Sequence, residues 1–252
     1  MLDLIQDTLN SIKPIPLLRF ETAQTHLDSL TKPPGSLGLL EDLAKKYAAI
    51  RDTSQPAINK KSVIIFAADH GVTEEGISAY PAEVTPQMVQ NFLDGGAAVN
   101  VLAKQQNAEI LVVDIGVNHK FAPHPELLDR KIAFGTRNLA KEPAMTRAEA
   151  EEAIAIGIQI AAQLADTDVD LLATGEMGIG NTTASSAIFS VLSGLPVNKV
   201  TGRGTGIDDK TLDKKISVIQ QALERHAPDL DDPIDILAKV GGFEIGGIMG
   251  LL

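Results

Sequence analysis

The sequence has no cysteine and no tryptophan. Without cysteine there is no disulfide, no thiol nucleophile and no thiolate metal site, and a cytoplasmic location fits that composition. Aromatic residues make up only 4% of the chain, so its core has to be built from aliphatic side chains. No apolar run approaches the ~20 residues a membrane helix requires. The first ten residues, MLDLIQDTLN, lack the basic region and cleavage site of a secretory signal. Cations are scarce as well: 22 Lys and Arg stand against 33 Asp and Glu, a net charge of −11 at pH 7. A surface of that sign repels nucleic acid and anionic lipid, which excludes both as natural partners. An anionic small molecule must then be held by local dipoles and a few placed cations.

Familiar catalytic patterns are also missing. The five histidines, His26, His70, His119, His124 and His226, show no i, i+4 pair of the kind that binds zinc on a helix. No Gly-x-Ser-x-Gly elbow points to a serine hydrolase. No Gly-Lys-Ser/Thr follows the glycine-rich stretches, so there is no triphosphate loop. Repeats, low-complexity tracts and long polar linkers are absent.

The remaining pattern is orderly. Residues 2–12 and 20–30 read as amphipathic helices, TKPPGSLG (31–38) as a rigid break, and 39–52 as a third helix with Leu39, Leu43, Tyr47 and Ile50 on one face. Short apolar runs then recur at 62–68, 109–116 and 169–175, each followed by glycine and helical sequence, as buried parallel strands with crossover helices do. The intervening helices are marked by Thr85 as N-cap with Pro86 behind it, by the capping box Thr146–Glu149, and by the amphipathic stretch 208–227. The expected fold is α/β: a doubly wound, mainly parallel, Rossmann-like sheet with a small N-terminal helical domain, divided as 1–55 and 56–252.

Ligands in such sheets bind beyond the carboxyl ends of the strands. Those ends read FAADHG, VVDIGV and ATGEMGIGN, each with one acid: Asp69, Asp114 and Glu176. Strand-end acids also cap helices, and for Asp69 and Asp114 that is the simpler reading. His70 reads most simply as a hydrogen-bonded structural residue. Glu176 stands in a barer setting, GEMGIGNTT (175–183). Gly178 and Gly180 permit close backbone approach, and Asn181, Thr182 and Thr183 open a helix whose N–H groups suit a phosphate. A second loop, GRGTG (202–206), adds Arg203 and Thr205. Lys214 and Lys215 follow about two turns into the next helix, where one can reach back and the other belongs to a solvated face. Two glycine loops suit one phosphosugar gripped from two sides.

KPPGSLG (32–38), FAADHGV (66–72), GISAYPAEVTPQMVQNFLDGGAAVNVLA (76–103), VVDIGV, GTRN (135–138), GEMGIGNTT, GRGTGID (202–208) and VGGFEI (240–245) occur in this order. In that order the chain resembles the nicotinate-nucleotide–dimethylbenzimidazole phosphoribosyltransferase family over essentially its whole length. The resemblance implies transfer of phosphoribose from nicotinate mononucleotide to 5,6-dimethylbenzimidazole, giving α-ribazole 5′-phosphate and nicotinate in assembly of the cobalamin lower ligand. It also implies a homodimer that needs no metal or other cofactor. Carried over by resemblance, Glu176 is the acid beside the ribose. Gly175, Gly178, Gly180, Asn181, Thr182, Gly202, Arg203, Gly204, Thr205 and Gly206 grip the phosphoribosyl group, with Lys215 as the phosphate-side cation. Tyr80, Pro81, Gln87 and Met88 line the benzimidazole pocket. The family's general base, a glutamate in a late Gly-Glu-Gly segment, has no counterpart among these 252 residues, and Glu244 matches a different family position. The expectation is a C-terminally truncated member with apolar surface exposed at 240–252. The alternative function is a catalytically impaired module that binds a phosphosugar or an aromatic base.

Overall fold

The computed structural model describes residues 1–252. In chain order its elements are α1 (Leu2–Ser11), α2 (Leu17–Ser29), α3 (Leu39–Arg51), β1 (Lys61–Ala68), a 3-10 turn (Gly71–Glu75), α4 (Val84–Leu93), α5 (Ala98–Gln105), β2 (Ala108–Gly116), β3 (Leu127–Asp129), α6 (Arg147–Ala165), β4 (Leu171–Met177), α7 (Asn181–Ser193), α8 (Val197–Val200), α9 (Asp209–His226), α10 (Pro233–Val240) and α11 (Phe243–Leu251). They form two compact units, one of Met1–Gln6 with Lys60–Leu252 and one of Asp7–Asn59.

In the larger unit four strands, all parallel, lie in the order β3-β2-β1-β4. The chain leaves β1 for β2 on one side and later returns to place β4 on the other, so the strand order reverses at β1. Helices cover both faces of β1 and β2, but β4, expected as a buried strand, is the sheet edge, and residues 171–174 are exposed. Ile64, Phe66, Val113 and Ile115 point to the face that packs α6 and α11, whereas Ile65, Ala67 and Val112 point to the face that packs Val89 and Phe92 of α4. This alternation is the period of two along a strand. With few aromatics the core is aliphatic, and Phe66 and Phe243 are its fully buried rings.

The 240–252 segment corrects an expectation. Val240, Phe243 and Leu251 are buried, and only Met249 and Leu252 of the large apolar side chains there are exposed. The reason is glycine. A Cβ on Gly157 of α6 would lie 2.1 Å from the Gly247 carbonyl, and one on Gly250 would lie 1.9 Å from the Ile154 carbonyl. The two helices therefore pack backbone to backbone. Each helical glycine costs about 1 kcal/mol in propensity, which this close packing offsets.

The smaller unit holds a second correction. Leu39, Leu43 and Ile50 of α3 are exposed, and the buried positions of that helix are Glu41, Ala48 and Ala49. Glu41 turns the face inward: its carboxylate accepts the Gly35 and Leu37 N–H groups at 3.2 and 3.0 Å and pairs with Lys32 at 2.8 Å. That set of bonds also explains why 31–38 is a fixed break. The apolar stripe is left facing outward.

Candidate functional site

The carboxyl ends of β1 and β4 sit at the point where the strand order reverses, where an open α/β sheet leaves a crevice. β4 begins two residues later than the sequence pattern suggests and runs through Met177, so Glu176 lies within the strand, opposite Phe66 of β1. The loop Gly178–Gly180 then turns the chain into α7, with Gly180 at φ +97°, a conformation that glycine adopts without strain.

Glu176 accepts a hydrogen bond from the Asn181 amide at the start of α7. Glu176 is an exposed residue, but partial desolvation of its carboxyl raises its pKa above the usual glutamate value, and nearby Glu244 adds to the rise. His70 and the Asn181 bond act the other way. Beneath the loop, His70 Nε2 and Glu244 Oε1 are 2.8 Å apart, and both side chains are fully buried. Burial of the imidazole opposes its charge, but Glu244 more than compensates, with Asp69 and Glu176 assisting, so the His70 pKa is raised.

The other two strand-end acids organise the loop after β2. Asp69 accepts the Asn118 N–H at 2.8 Å, and Asp114 accepts the Val117 N–H at 2.9 Å and the Lys131 ammonium at 2.6 Å. Burial raises both pKa values. Neither caps a helix.

Thr85 is not the N-cap that the sequence pattern suggests. It lies inside α4, fully buried, and its hydroxyl accepts the Ile179 N–H of the glycine loop at 3.1 Å. The loop requires that acceptor because Ile179 is buried and its amide needs a partner.

The second glycine loop meets the first. Lys215 is 1% exposed, and its ammonium donates to the Thr182 hydroxyl at 2.7 Å and the Gly202 carbonyl at 3.4 Å. A Cβ on Gly204 would stand 2.8 Å from the Thr182 hydroxyl and 3.3 Å from the ammonium, so only glycine leaves room there. No carboxylate joins the Lys215 bonds, and burial pulls its pKa from 10.5 to about 8. Lys214 is the exposed neighbour. Thr205 accepts the Ala79 N–H at 3.0 Å and lies 3.2 Å from the Ser78 hydroxyl, which ties this loop to the 76–81 segment. Arg203 is occupied within its own loop, donating to the Ile207 carbonyl and pairing with Asp209.

The structure thus brings together Gly175, Glu176, Gly178, Gly180, Asn181, Thr182, Gly202, Gly204, Thr205 and Lys215, with Gly206 at φ +90° closing the loop. Tyr80, Pro81 and Gln87 stand exposed at the start of α4, and Met88 is half-buried against the core beside Met177. A cavity of about 320 Å³ opens between Thr182, Ser186, Phe189, Gly202 and Gly204. A larger cavity, about 1130 Å³, lies at the amino ends of β1 and β2, lined by Ser62, Asn107 and Glu109. Size there is not matched by chemistry, because the glycine loops and the buried cation lie at the opposite strand ends. No cluster of three His, Asp or Glu side chains converges as a metal would require. Sequence reasoning missed the buried pair His70–Glu244 and the Thr85 contact. All three sit in quoted motifs, but 174 residues separate His70 from Glu244, and no local spacing joins them.

A doubly wound sheet with two glycine loops and a buried lysine at its reversal point is an α/β fold whose site chemistry suits a sugar phosphate. The match is closer than that class: the "Phosphoribosyltransferase" family model covers residues 13–252, and the chain belongs to that family. A nicotinate-nucleotide–dimethylbenzimidazole phosphoribosyltransferase of Chloroflexus aurantiacus is 54% identical over 251 residues, all of this chain and 72% of the relative. A protein of the same name from Geobacter sp. (strain M21) is 53% identical over 251 residues, again 72% of its length. The crystal structure of CobT from Thermus thermophilus superposes with a TM-score of 0.88 at 45% identity, covering 93% of this chain and 70% of that one.

Proposed function

We propose that this chain transfers the phosphoribosyl group of nicotinate mononucleotide to 5,6-dimethylbenzimidazole, releasing nicotinate and a proton and forming α-ribazole 5′-phosphate. The observation that carries the reading is Lys215: a buried ammonium, held between two glycine loops, whose bonds include no carboxylate. A buried charge left without its counter-charge is costly, and a phosphate supplies the missing partner. The start of α7 adds the positive end of a helix dipole. In this reading Thr182, Gly202, Gly204 and Lys215 hold the phosphate, Arg203 and Thr205 brace their loop, and Glu176 faces the ribose.

The chemistry then follows from the groups. Nicotinate is joined to the sugar through a pyridinium nitrogen, which takes the electron pair of the breaking bond and becomes a neutral ring nitrogen, so it departs without an acid. The sugar passes through an oxocarbenium-like state that a carboxylate at Glu176 stabilises. Binding the remote phosphate aligns the anomeric carbon. Tyr80, Pro81, Gln87 and Met88 form the wall for the flat base. The benzimidazole N–H must lose its proton to a general base, and the family resemblance assigns that role to a Gly-Glu-Gly glutamate outside these residues.

The names of the relatives favour the transferase over the alternative, a module that binds without turnover. Calorimetry with nicotinate mononucleotide, paired with chromatographic detection of α-ribazole phosphate, separates the two. Binding with product supports the transferase, binding without product supports the module, and no binding refutes both. The same reading includes a cytoplasmic location and a homodimer. The exposed stripe Leu39, Leu40, Leu43 and Ile50 supports the dimer, and sedimentation of wild type against Leu43→Glu tests it.

A further inference from the structure

The His70–Glu244 pair has no part in gripping the substrate, yet much of the site is arranged around it. The imidazole is enclosed by glycines from two segments. A Cβ on Gly178 would lie 3.2–3.3 Å from the ring, one on Gly180 would lie 3.2 Å from the His70 Cβ, and one on Gly242 would lie 2.5 Å from the ring and 2.6 Å from both Glu244 oxygens. The His70 backbone is clamped as well. Its carbonyl accepts both the Thr73 N–H and the Thr73 hydroxyl, and the residue bridges to Thr136. The glycine loop that follows Glu176 therefore rests on a fixed imidazole, and that imidazole is held by a carboxylate from the first turn of α11.

We propose that the buried His70–Glu244 pair is a positioning element that aims Glu176 and sets its charge through the glycine loop lying on the imidazole. The inference rests on the reading of Glu176 as the acid beside the ribose. The groups bearing on Glu176 are Glu244 from α11, His70 after β1 and Asn181 from α7. Those bearing on His70 are Glu244, Asp69 and Glu176. An imidazolium here offsets one of two neighbouring carboxylates and lets the other ionise. Without the imidazolium, the Glu244 and Glu176 carboxylates would repel each other with no cation between them, and one would hold a proton. A protonated Glu176 cannot stabilise a developing cation.

Two measurements on the substrate-free protein test this independently of turnover. In wild type, ¹⁵N shifts at pH 6.5 are expected to show the His70 ring doubly protonated for most of the molecules, and a neutral ring overturns the proposal. In His70→Gln, which keeps a donor toward Glu244 without the charge, ¹³C-labelled glutamate is expected to show the Glu176 titration moved to higher pH. Adding Glu244→Gln is expected to bring it back down. A Glu176 midpoint that is the same in all three proteins overturns the proposal. In turnover the acidic limb of kcat/KM is expected to follow the Glu176 midpoint in His70→Gln, with the KM for dimethylbenzimidazole unchanged. A merely structural role would lower activity evenly across pH. A midpoint moved in His70→Gln, beside a wild type that makes no α-ribazole phosphate, would sink the transferase reading and leave this inference standing.

Discussion

Replacing Lys215 with methionine separates a residue kept for a ligand from one kept for the fold. Methionine approximates the length of the buried side chain and removes its charge. The fall of the lysine pKa from 10.5 to about 8 corresponds to about 3 kcal/mol of unfavourable burial. Loss of the charge-assisted bonds to Thr182 and Gly202 returns about 1–2 kcal/mol of that. The ligand-free variant is therefore expected to be more stable at pH 7 by about 1–2 kcal/mol, with Tm higher by about 2–4 °C for each kcal/mol in a chain of this size. The pH dependence is a second signature. The folded amine releases its proton near pH 8, whereas the unfolded chain keeps it until about pH 10.5, so between these values the unfolded state binds more protons. Wild-type stability thus gains a contribution as pH rises through this window, and Lys215→Met loses that gain. Affinity for nicotinate mononucleotide moves the other way. Removing one partner of a desolvated charge pair costs about 2–5 kcal/mol, so Kd is expected to weaken at least roughly thirtyfold. Denaturant melts from pH 7 to 10.5 and calorimetry check both arms. A variant that is less stable at pH 7 and binds the mononucleotide as wild type does would refute the assignment, because the ammonium would then be holding the fold.

Gly178→Ala places a Cβ 2.3 Å from the Ala68 carbonyl, and backbone cannot yield as a flexible side chain can. A stability loss of about 1–3 kcal/mol is expected in denaturant melts, together with weaker mononucleotide binding; unchanged values for both would show that the loop is looser than its geometry implies. Thr85→Val keeps the shape but leaves the buried Ile179 N–H without its acceptor. It is expected to cost about 1–3 kcal/mol, with Thr85→Ser recovering most of it, and equal stability of the valine and serine variants would contradict this.

Three of the four strands were legible because each announces itself locally: a β-branched or leucine run, then glycine, then helical sequence. The helix ends Thr146 and Asp208 were legible for the same reason, since each accepts an N–H three residues on. The failures were tertiary. Thr85 has the residue type of a cap, but the glycine loop of another segment takes its hydroxyl. The α3 leucines form the stripe that periodicity marks as core, yet Glu41 and the Lys32–Leu37 loop turn a different face inward. β3, three residues long, is too short for any alternation to register. The glycine-rich α11 reads as weak helix until Gly157 of α6 is seen against it. At the site, residue types pointed to a phosphate, but only the fold could show that Lys215, and not Lys214, turns inward.

The start of α7 explains how so acidic a chain manages both signs of charge at one place. Asn181 donates to the Glu176 carboxylate, and its neighbour Thr182 accepts from the Lys215 ammonium. One peptide step thus separates the group that steadies the acid from the group that steadies the cation. At that step β4 and the α7 that follows it are tied to α9, from a later part of the chain, and the second glycine loop meets the first there. A sugar phosphate needs this division, with a cation for the dianion at one end and a carboxylate for the positive charge that develops at the anomeric carbon at the other. In the proposed reading the net charge of −11 repels the ligand from most of the surface, so discrimination falls to the buried Lys215. That division also accounts for the bareness of the GNTT sequence, since bulkier side chains there would push the two charges out of reach of one ribose phosphate.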